Sequence, residues 1–224
     1  MKENNEEKNL EIGDVIAKSE NFIEKNQKKI IIIASAIVIV VLAFFGLRKW
    51  YFEPREVTAA ESMFAAENTL AANDYQTALN GNDEMLGFVD IIDQYGCTKA
   101  GNLAKYYAAI CEMQLSNFSN AIDYLKSYKG KDTFTKIQAV ILNGDAELEL
   151  GNKEAAIKLY EKAVSMDNTN YITAPYALFK AGMVHLQLKN KENAIECFES
   201  IKAQYPESTE FSEVDKYLAV VEQM

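Results

Sequence analysis

The chain has 224 residues, a formal net charge of −10 at pH 7, three cysteines and a single histidine. No Cys-x-x-Cys or Cys/His ligand spacing occurs, which argues against a zinc site, and an odd cysteine count argues against a disulfide framework. The acidic balance disfavours nucleic acid, because a negatively charged surface repels a polyanion. Residues 1–50 carry 8 basic and 7 acidic side chains, leaving 15 basic and 26 acidic for residues 51–224, a net of −11 for that part.

Residues 1–29 have too few apolar side chains for a core. Residues 1–9 are polar enough to be expected disordered. Ile12, Val15, Ile16, Phe22 and Ile23 then recur at helical spacing, which predicts an amphipathic juxtamembrane helix in a cytoplasmic head. Its polar face mixes Glu and Lys, unlike a basic lipid-binding helix.

Residues 30–47, from Ile30 to Leu47, are 18 residues without a charge. At about 1.5 Å per residue such a helix nearly spans a hydrocarbon core of roughly 30 Å. Lys28-Lys29 precede the run and Arg48-Lys49-Trp50-Tyr51 follow it, the cations and aromatic residues expected at a membrane interface. The run exceeds the roughly 7–15 residues of a signal-peptide core and lacks a small-residue cleavage site, so residues 30–50 read as an uncleaved transmembrane signal-anchor. Lys18, Lys25, Lys28 and Lys29 on the N-terminal flank against Arg48, Lys49 and Arg55 on the other tip the orientation slightly towards a cytoplasmic N-terminus. The short head and large tail domain add to that, placing residues 51–224 in the periplasm of an inner-membrane protein.

Residues 51–224 read as one helical domain. An Ala-rich helix is expected from Glu56 to about Leu79. Phe88-x-x-Ile91-x-x-Gln94-Tyr95 mirrors Phe198-x-x-Ile201-x-x-Gln204-Tyr205, which makes the first stretch a degenerate unit. Its register puts Glu84 where a small residue belongs, so this unit must close differently. Beyond it, a frame Leu-x-Asn-x-x-x-Ala-Ile occurs three times, at Leu115–Ile122, Leu150–Ile157 and Leu188–Ile195, with steps of 35 and 38 residues between Ala121, Ala156 and Ala194. A period in the mid-thirties with helical patterning signals a solenoid of helix pairs. The Asn of each frame sits in the turn, where it caps the next helix or adopts a left-handed backbone. The longer second step implies extra residues around 170–175 that distort that joint. Phe211, Val214, Leu218 and Val221 predict a last helix capping the stack.

These frames resemble the tetratricopeptide repeat. On that pattern Ala109, Gly144 and Gly182 are the small residues at position 8, Ala121, Ala156 and Ala194 those at position 20, and Leu125, Tyr160 and Phe198 the larger residues at position 24. Small residues at 8 and 20 let the paired helices approach, and the residues at 24 fill space towards the next repeat. The sequence departs from the family at position 4, where Lys105, Val140 and Leu178 replace the usual aromatic residue. The resemblance implies an all-α right-handed superhelix of about three clear repeats, one degenerate N-terminal repeat and a capping helix. The whole layout resembles the signal-anchored tetratricopeptide proteins of Gram-negative inner membranes, a group that includes the ancillary subunit of the Sec translocon. By that likeness the chain is a membrane-anchored scaffold linking protein export to periplasmic folding factors. Its partners would be Sec translocon subunits, periplasmic chaperones or exported chains. The alternative is an adaptor in outer-membrane assembly or envelope division.

No catalytic, cofactor-binding or metal-ligating residue is assigned. There is no Gly-rich phosphate loop, His-Glu-x-x-His or Gly-x-Ser-x-Gly, and no small-molecule substrate is expected. A hydrolase pairing Cys197 with His185 stays open as a remote reading. What the pattern offers is a concave face. Tyr106, Ile110, Met113, Ile141, Leu148, Tyr176, Phe179, Met183 and Leu186 fall on groove positions of the first helix in each pair, an apolar stripe that wants covering. The cover is a partner, or the chain's own helix near residues 56–79. Phe179 and Met183 are expected to carry much of the binding energy and to leave the fold intact when replaced.

Overall fold

The computed structural model describes the backbone of residues 3–223 and the side chains of residues 25–223. Among these residues there are eleven α-helices, one π-helical turn and no strand, the all-α class that the repeat spacing predicts. The chain divides into two compact units, Met1–Pro54 and Arg55–Met224.

In the first unit α1 spans Glu3–Leu47. The backbone is therefore helical over residues 3–9, where disorder was expected; a helix nucleated by an apolar run extends at little cost per residue. The amphipathic face expected from Ile12 to Ile23 lies outside the described side chains. Between Ile30 and Leu47 the large apolar side chains are exposed, Ile32 at 68% and Leu42 at 66%, and α1 is long and apolar enough to cross a membrane. The π-helical turn Arg48–Phe52 follows, with the Glu53 amide donating to the Arg48 carbonyl five residues back. Pro54 explains it. Proline has no N–H for the Trp50 carbonyl, and its ring crowds that carbonyl, so the turn before it widens.

In the second unit, α5 (Lys99–Gln114) and α6 (Phe118–Ser127), α7 (Thr133–Glu149) and α8 (Lys153–Met166), and α9 (Thr173–Gln187) and α10 (Lys191–Gln204) are three successive helix pairs. The turns at Asn117, Asn152 and Asn190 share one geometry. The residue before each Asn is left-handed: Ser116 at φ 63°, Gly151 at 83° and Lys189 at 60°. Each Asn amide donates five residues back, to the Glu112, Glu147 and His185 carbonyls at 2.8, 2.8 and 2.9 Å. This is the Schellman closure of a helix C-terminus. The asparagines neither take the left-handed conformation nor cap the next helix with their side chains. Instead Asn117 Nδ2 and Asn152 Nδ2 donate to the Glu112 and Glu147 carboxylates, both at 2.8 Å. His185 takes the corresponding place in the last pair.

Within each pair the small residue at position 8 makes room for position 24 of the same repeat, not for the next repeat. A Cβ on Gly144 would lie 2.6 Å from the Tyr160 ring, and one on Gly182 2.7 Å from the Phe198 ring. Where position 8 is Ala109, position 24 is the smaller Leu125, and both lie in one buried cluster with Ala121 and Ala139.

The N-terminal unit differs from its expected register. The helix foreseen over residues 56–79 breaks into α2 (Glu53–Ala71) and α3 (Tyr75–Asn80). Asn73 is left-handed at φ 62°, and the Asp74 amide donates to the Thr69 carbonyl at 3.2 Å, the same Schellman turn a fourth time. Asp74 also caps α3 by accepting from the Thr77 amide at 3.2 Å. Ala78, fully buried, is thus the small residue equivalent to Ala121, and Glu84 lies in the loop 81–87 that interrupts the second helix. That helix resumes as α4 (Phe88–Tyr95). The loop is pinched shut where a Cβ on Gly87 would lie 2.2 Å from the Gly81 nitrogen. Phe88 and Ile91 are fully buried, as are Phe198 and Ile201, so the mirrored motif does mark equivalent packing. Ala59, Met63 and Ala66 of α2 share a cluster with Ala100, Ala104 and Ala108 of α5. The Glu56 carboxylate accepts from the Lys99 and Ala100 amides at 2.8 and 3.1 Å, supplying the partners that the first turn of α5 lacks.

The extra residues near 170 close the joint between α8 and α9 instead of distorting it. Asn170 Oδ1 accepts from the Ile172 and Thr173 amides, both at 3.0 Å. The Tyr205 hydroxyl donates to the Asn168 carbonyl at 2.6 Å. Ile137, Tyr160, Ala177 and Val184 from α7, α8 and α9 share one core. The last helix, α11 (Phe211–Glu222), buries Val214 and Val221 against Phe198 and Ile201. Phe211 stays exposed.

Candidate functional site

The nine predicted groove residues do not form one continuous stripe. Ile141 is only 2% exposed and belongs to the core shared by α7, α8 and α9, out of reach of a partner. Tyr106 and Met113 pack on the Ala109–Leu125 cluster, and Ile110 is half-buried. Phe179, Met183 and Leu186 are half-buried against the core that joins α10 to α11. The Phe179 ring lies 5.2 Å from that of Tyr217 and 6.0 Å from that of Phe198. The expectation that Phe179 and Met183 are free groove residues therefore needs correction: α11 supports them from behind, so replacing both removes core contacts as well as surface.

Four of the nine do converge. Leu148 of α7 and Tyr176, Phe179 and Met183 of α9 line a cleft of about 230 Å³. Tyr176 forms its exposed rim. The polar part of this cleft is an ordered chain. The Tyr160 hydroxyl donates to Asp145 Oδ1 at 2.7 Å, the Lys180 ammonium pairs with the same oxygen at 2.9 Å, and it also lies 4.9 Å from the centre of the Tyr176 ring. Burial opposes the Lys180 charge, but the Asp145 carboxylate and Tyr176 outweigh it, so its pKa lies above the usual value. Burial, reinforced by Asp145, pushes the Tyr160 hydroxyl upward, keeping it a donor. The cleft thus has apolar walls and a fixed cation–carboxylate pair, an arrangement suited to holding a side chain and orienting a backbone group beside it. Counting positions missed Lys180, because only its length brings the ammonium round to the cleft.

Around His185 and Cys197 the geometry is that of packing. His185 is buried and its Nδ1 has no hydrogen-bond partner among the described residues. Desolvation lowers its pKa, partly offset by Glu161 and Glu196. Burial, with Glu196 and Glu161, pushes the Cys197 thiol up to about 11, and burial takes Cys111 to about 12. A raised thiol pKa is the reverse of what activates a cysteine nucleophile.

Models of the tetratricopeptide repeat match residues 138–170 and 176–208. A TPR repeat-containing protein of Methanocaldococcus jannaschii is 24% identical over 151 residues, covering 65% of this chain and 25% of that protein. The chain thus spans about a quarter of that relative's length. Among solved structures, the crystal structure of the MamA protein superposes with a TM-score of 0.59 at 18% identity, over 74% of this chain and 81% of that one, a likeness of fold.

Proposed function

From membership of the tetratricopeptide-repeat family, which makes this chain a scaffold for protein–protein contacts, we propose that it is a single-pass membrane adaptor whose α7–α9 cleft docks a partner protein. The observation that carries this reading is the cleft itself: an open, apolar-walled recess on the face formed by the first helices of the pairs, with an exposed aromatic rim. Anchoring is supported by the charge-free run of α1, none of it buried, between flanking cations. The layout of short polar head, anchor and repeat domain supports a place in protein export, linking the Sec translocon to periplasmic folding factors.

Tyr176→Ala tests the cleft without touching the core. Crosslinking and pull-down from membranes should lose the partner captured by the native chain, while the thermal midpoint stays put, because Tyr176 is exposed. Phe179→Ser with Met183→Ser is the poorer test, since those side chains also hold α11. Retained capture with Tyr176→Ala sinks the cleft reading. Recovery of outer-membrane assembly factors in place of translocon subunits and chaperones sinks the export reading alone.

Topology is tested with a reporter fused after Met224. Alkaline phosphatase should be active there and a cytosol-dependent fluorophore dark. The reverse pattern removes any periplasmic role.

A further inference from the structure

The second unit is acidic overall, yet its lysines are unevenly placed. Lys99, Lys105, Lys129 and Lys131 line a cleft of about 460 Å³ between the start of α5 and the α6–α7 loop. Lys126, Lys129, Lys136 and Lys162 line a second of about 360 Å³ between α6, α7 and α8. The two clefts share Tyr128, Lys129 and Gly130. Among the described residues, seven lysines therefore surround this edge, and Asp132 is the one carboxylate in either lining. Asp132 is already engaged, accepting from the Thr135 amide and hydroxyl at 2.7 and 2.6 Å. None of the seven lysines forms a salt bridge among the described residues, and all but Lys105 are exposed. Asp132 attracts Lys136 and Lys105 donates to the Ser127 carbonyl at 3.5 Å, yet one carboxylate against seven lysines leaves a local excess of positive charge that favours an anionic partner.

A second observation specifies the partner. Asn143 of α7 lines the smaller cleft, is only 8% exposed, and its Oδ1 has no hydrogen-bond partner among the described residues. A buried acceptor left unpaired is costly, and it asks for an N–H or O–H donor. A phosphodiester has no proton to give; a peptide backbone does. The floor beside it is apolar, with Leu125, Val140, Leu159 and Met166.

We propose that this edge is a docking site for an acidic peptide segment of a partner protein, its carboxylates on the lysines and a backbone N–H on Asn143 Oδ1. The site shares no lining residue with the α7–α9 cleft.

The test uses the full chain in non-ionic detergent and a fluorescein-labelled peptide in which Glu and Leu alternate, with a Lys-for-Glu version as control. Fluorescence anisotropy should show binding of the acidic peptide only, weakening as salt is raised. Lys129→Glu with Lys131→Glu should weaken that binding roughly tenfold and admit the Lys peptide. Both positions are exposed, so the fold should hold; if circular dichroism shows unfolding, Lys126→Glu with Lys136→Glu reads the same effect. Asn143→Leu should weaken binding while leaving the thermal midpoint equal or higher, because it removes an unpaired polar atom. Tyr176→Ala should change nothing here. The proposal is overturned if the acidic peptide does not bind, or if charge reversal leaves its affinity intact. It is equally overturned if inorganic phosphate or glycerophosphoserine displaces the peptide as well as unlabelled peptide does, which makes this an anion or lipid-headgroup site.

Discussion

Phe198→Ala should destabilise the second unit by about 3–5 kcal/mol, the range for deleting a fully buried ring. Phe198 is fully buried. Its ring stacks on Tyr217 at 5.7 Å and meets Phe179 at 6.0 Å, and its cluster includes both buried valines of α11. The ring is thus the main attachment of the last helix to the stack. In a repeat array each element is held mainly by its neighbours, so the cavity loosens α11 before the rest unfolds. Two readouts follow. The thermal midpoint should drop by roughly 10 °C, given about 2–4 °C per kcal/mol at this size. Proteolysis should cleave near residues 206–210 far faster than in the native chain. An unchanged midpoint with unchanged protection means that α11 is not docked as described.

Gly144→Ala should destabilise by about 1–3 kcal/mol through overpacking, although alanine normally gains about 1 kcal/mol over glycine inside a helix. The packing effect wins because the obstacle cannot step aside. The new Cβ falls 2.6 Å from the Tyr160 ring, Tyr160 is fully buried, and its hydroxyl is fixed at 2.7 Å to Asp145, which in turn is paired with Lys180 at 2.9 Å. The first repeat shows the compatible alternative, Ala109 with Leu125. Gly144→Ala combined with Tyr160→Leu should therefore cost less than the two single changes added together, a favourable coupling of about 1–2 kcal/mol in a double-mutant cycle. Strict additivity would show that the ring and the glycine do not share that space.

The positions of the turns were legible because they are local, each marked by an Asn between two apolar helices; that the preceding residue, and not the Asn, turns left-handed was not. The fourth turn, Ala72-Asn73-Asp74-Tyr75-Gln76-Thr77-Ala78-Leu79, closes in the same way, but Ala replaces Leu, Asp replaces Asn and Leu replaces Ile. The loop 81–87 then shifts everything after it, so periodicity alone aligned Glu84 with the small residue. Tyr160 and Phe198 were recognisable as large residues at position 24. That each presses on a glycine of its own repeat depends on how two helices approach, which no spacing along one helix contains.

The candidate site divides in the same way. Helical phase put Leu148, Tyr176, Phe179 and Met183 on one face, and they do meet in one cleft. It also put Ile141 and Leu186 there. Which of these side chains stay accessible is settled by elements distant in sequence: α8 and α9 bury Ile141, and α10 and α11 back Phe179, Met183 and Leu186. Lys180 and the lysine edge escaped the pattern because charge reach and cleft formation depend on side chains from different repeats converging. The sequence by itself determined the repeat, its turns and the apolar run of α1, since each rests on neighbours along the chain. Only the tertiary structure decided which apolar faces are interior and which lysines and polar atoms share a cleft, because burial and electrostatic crowding are properties of helices brought together in space.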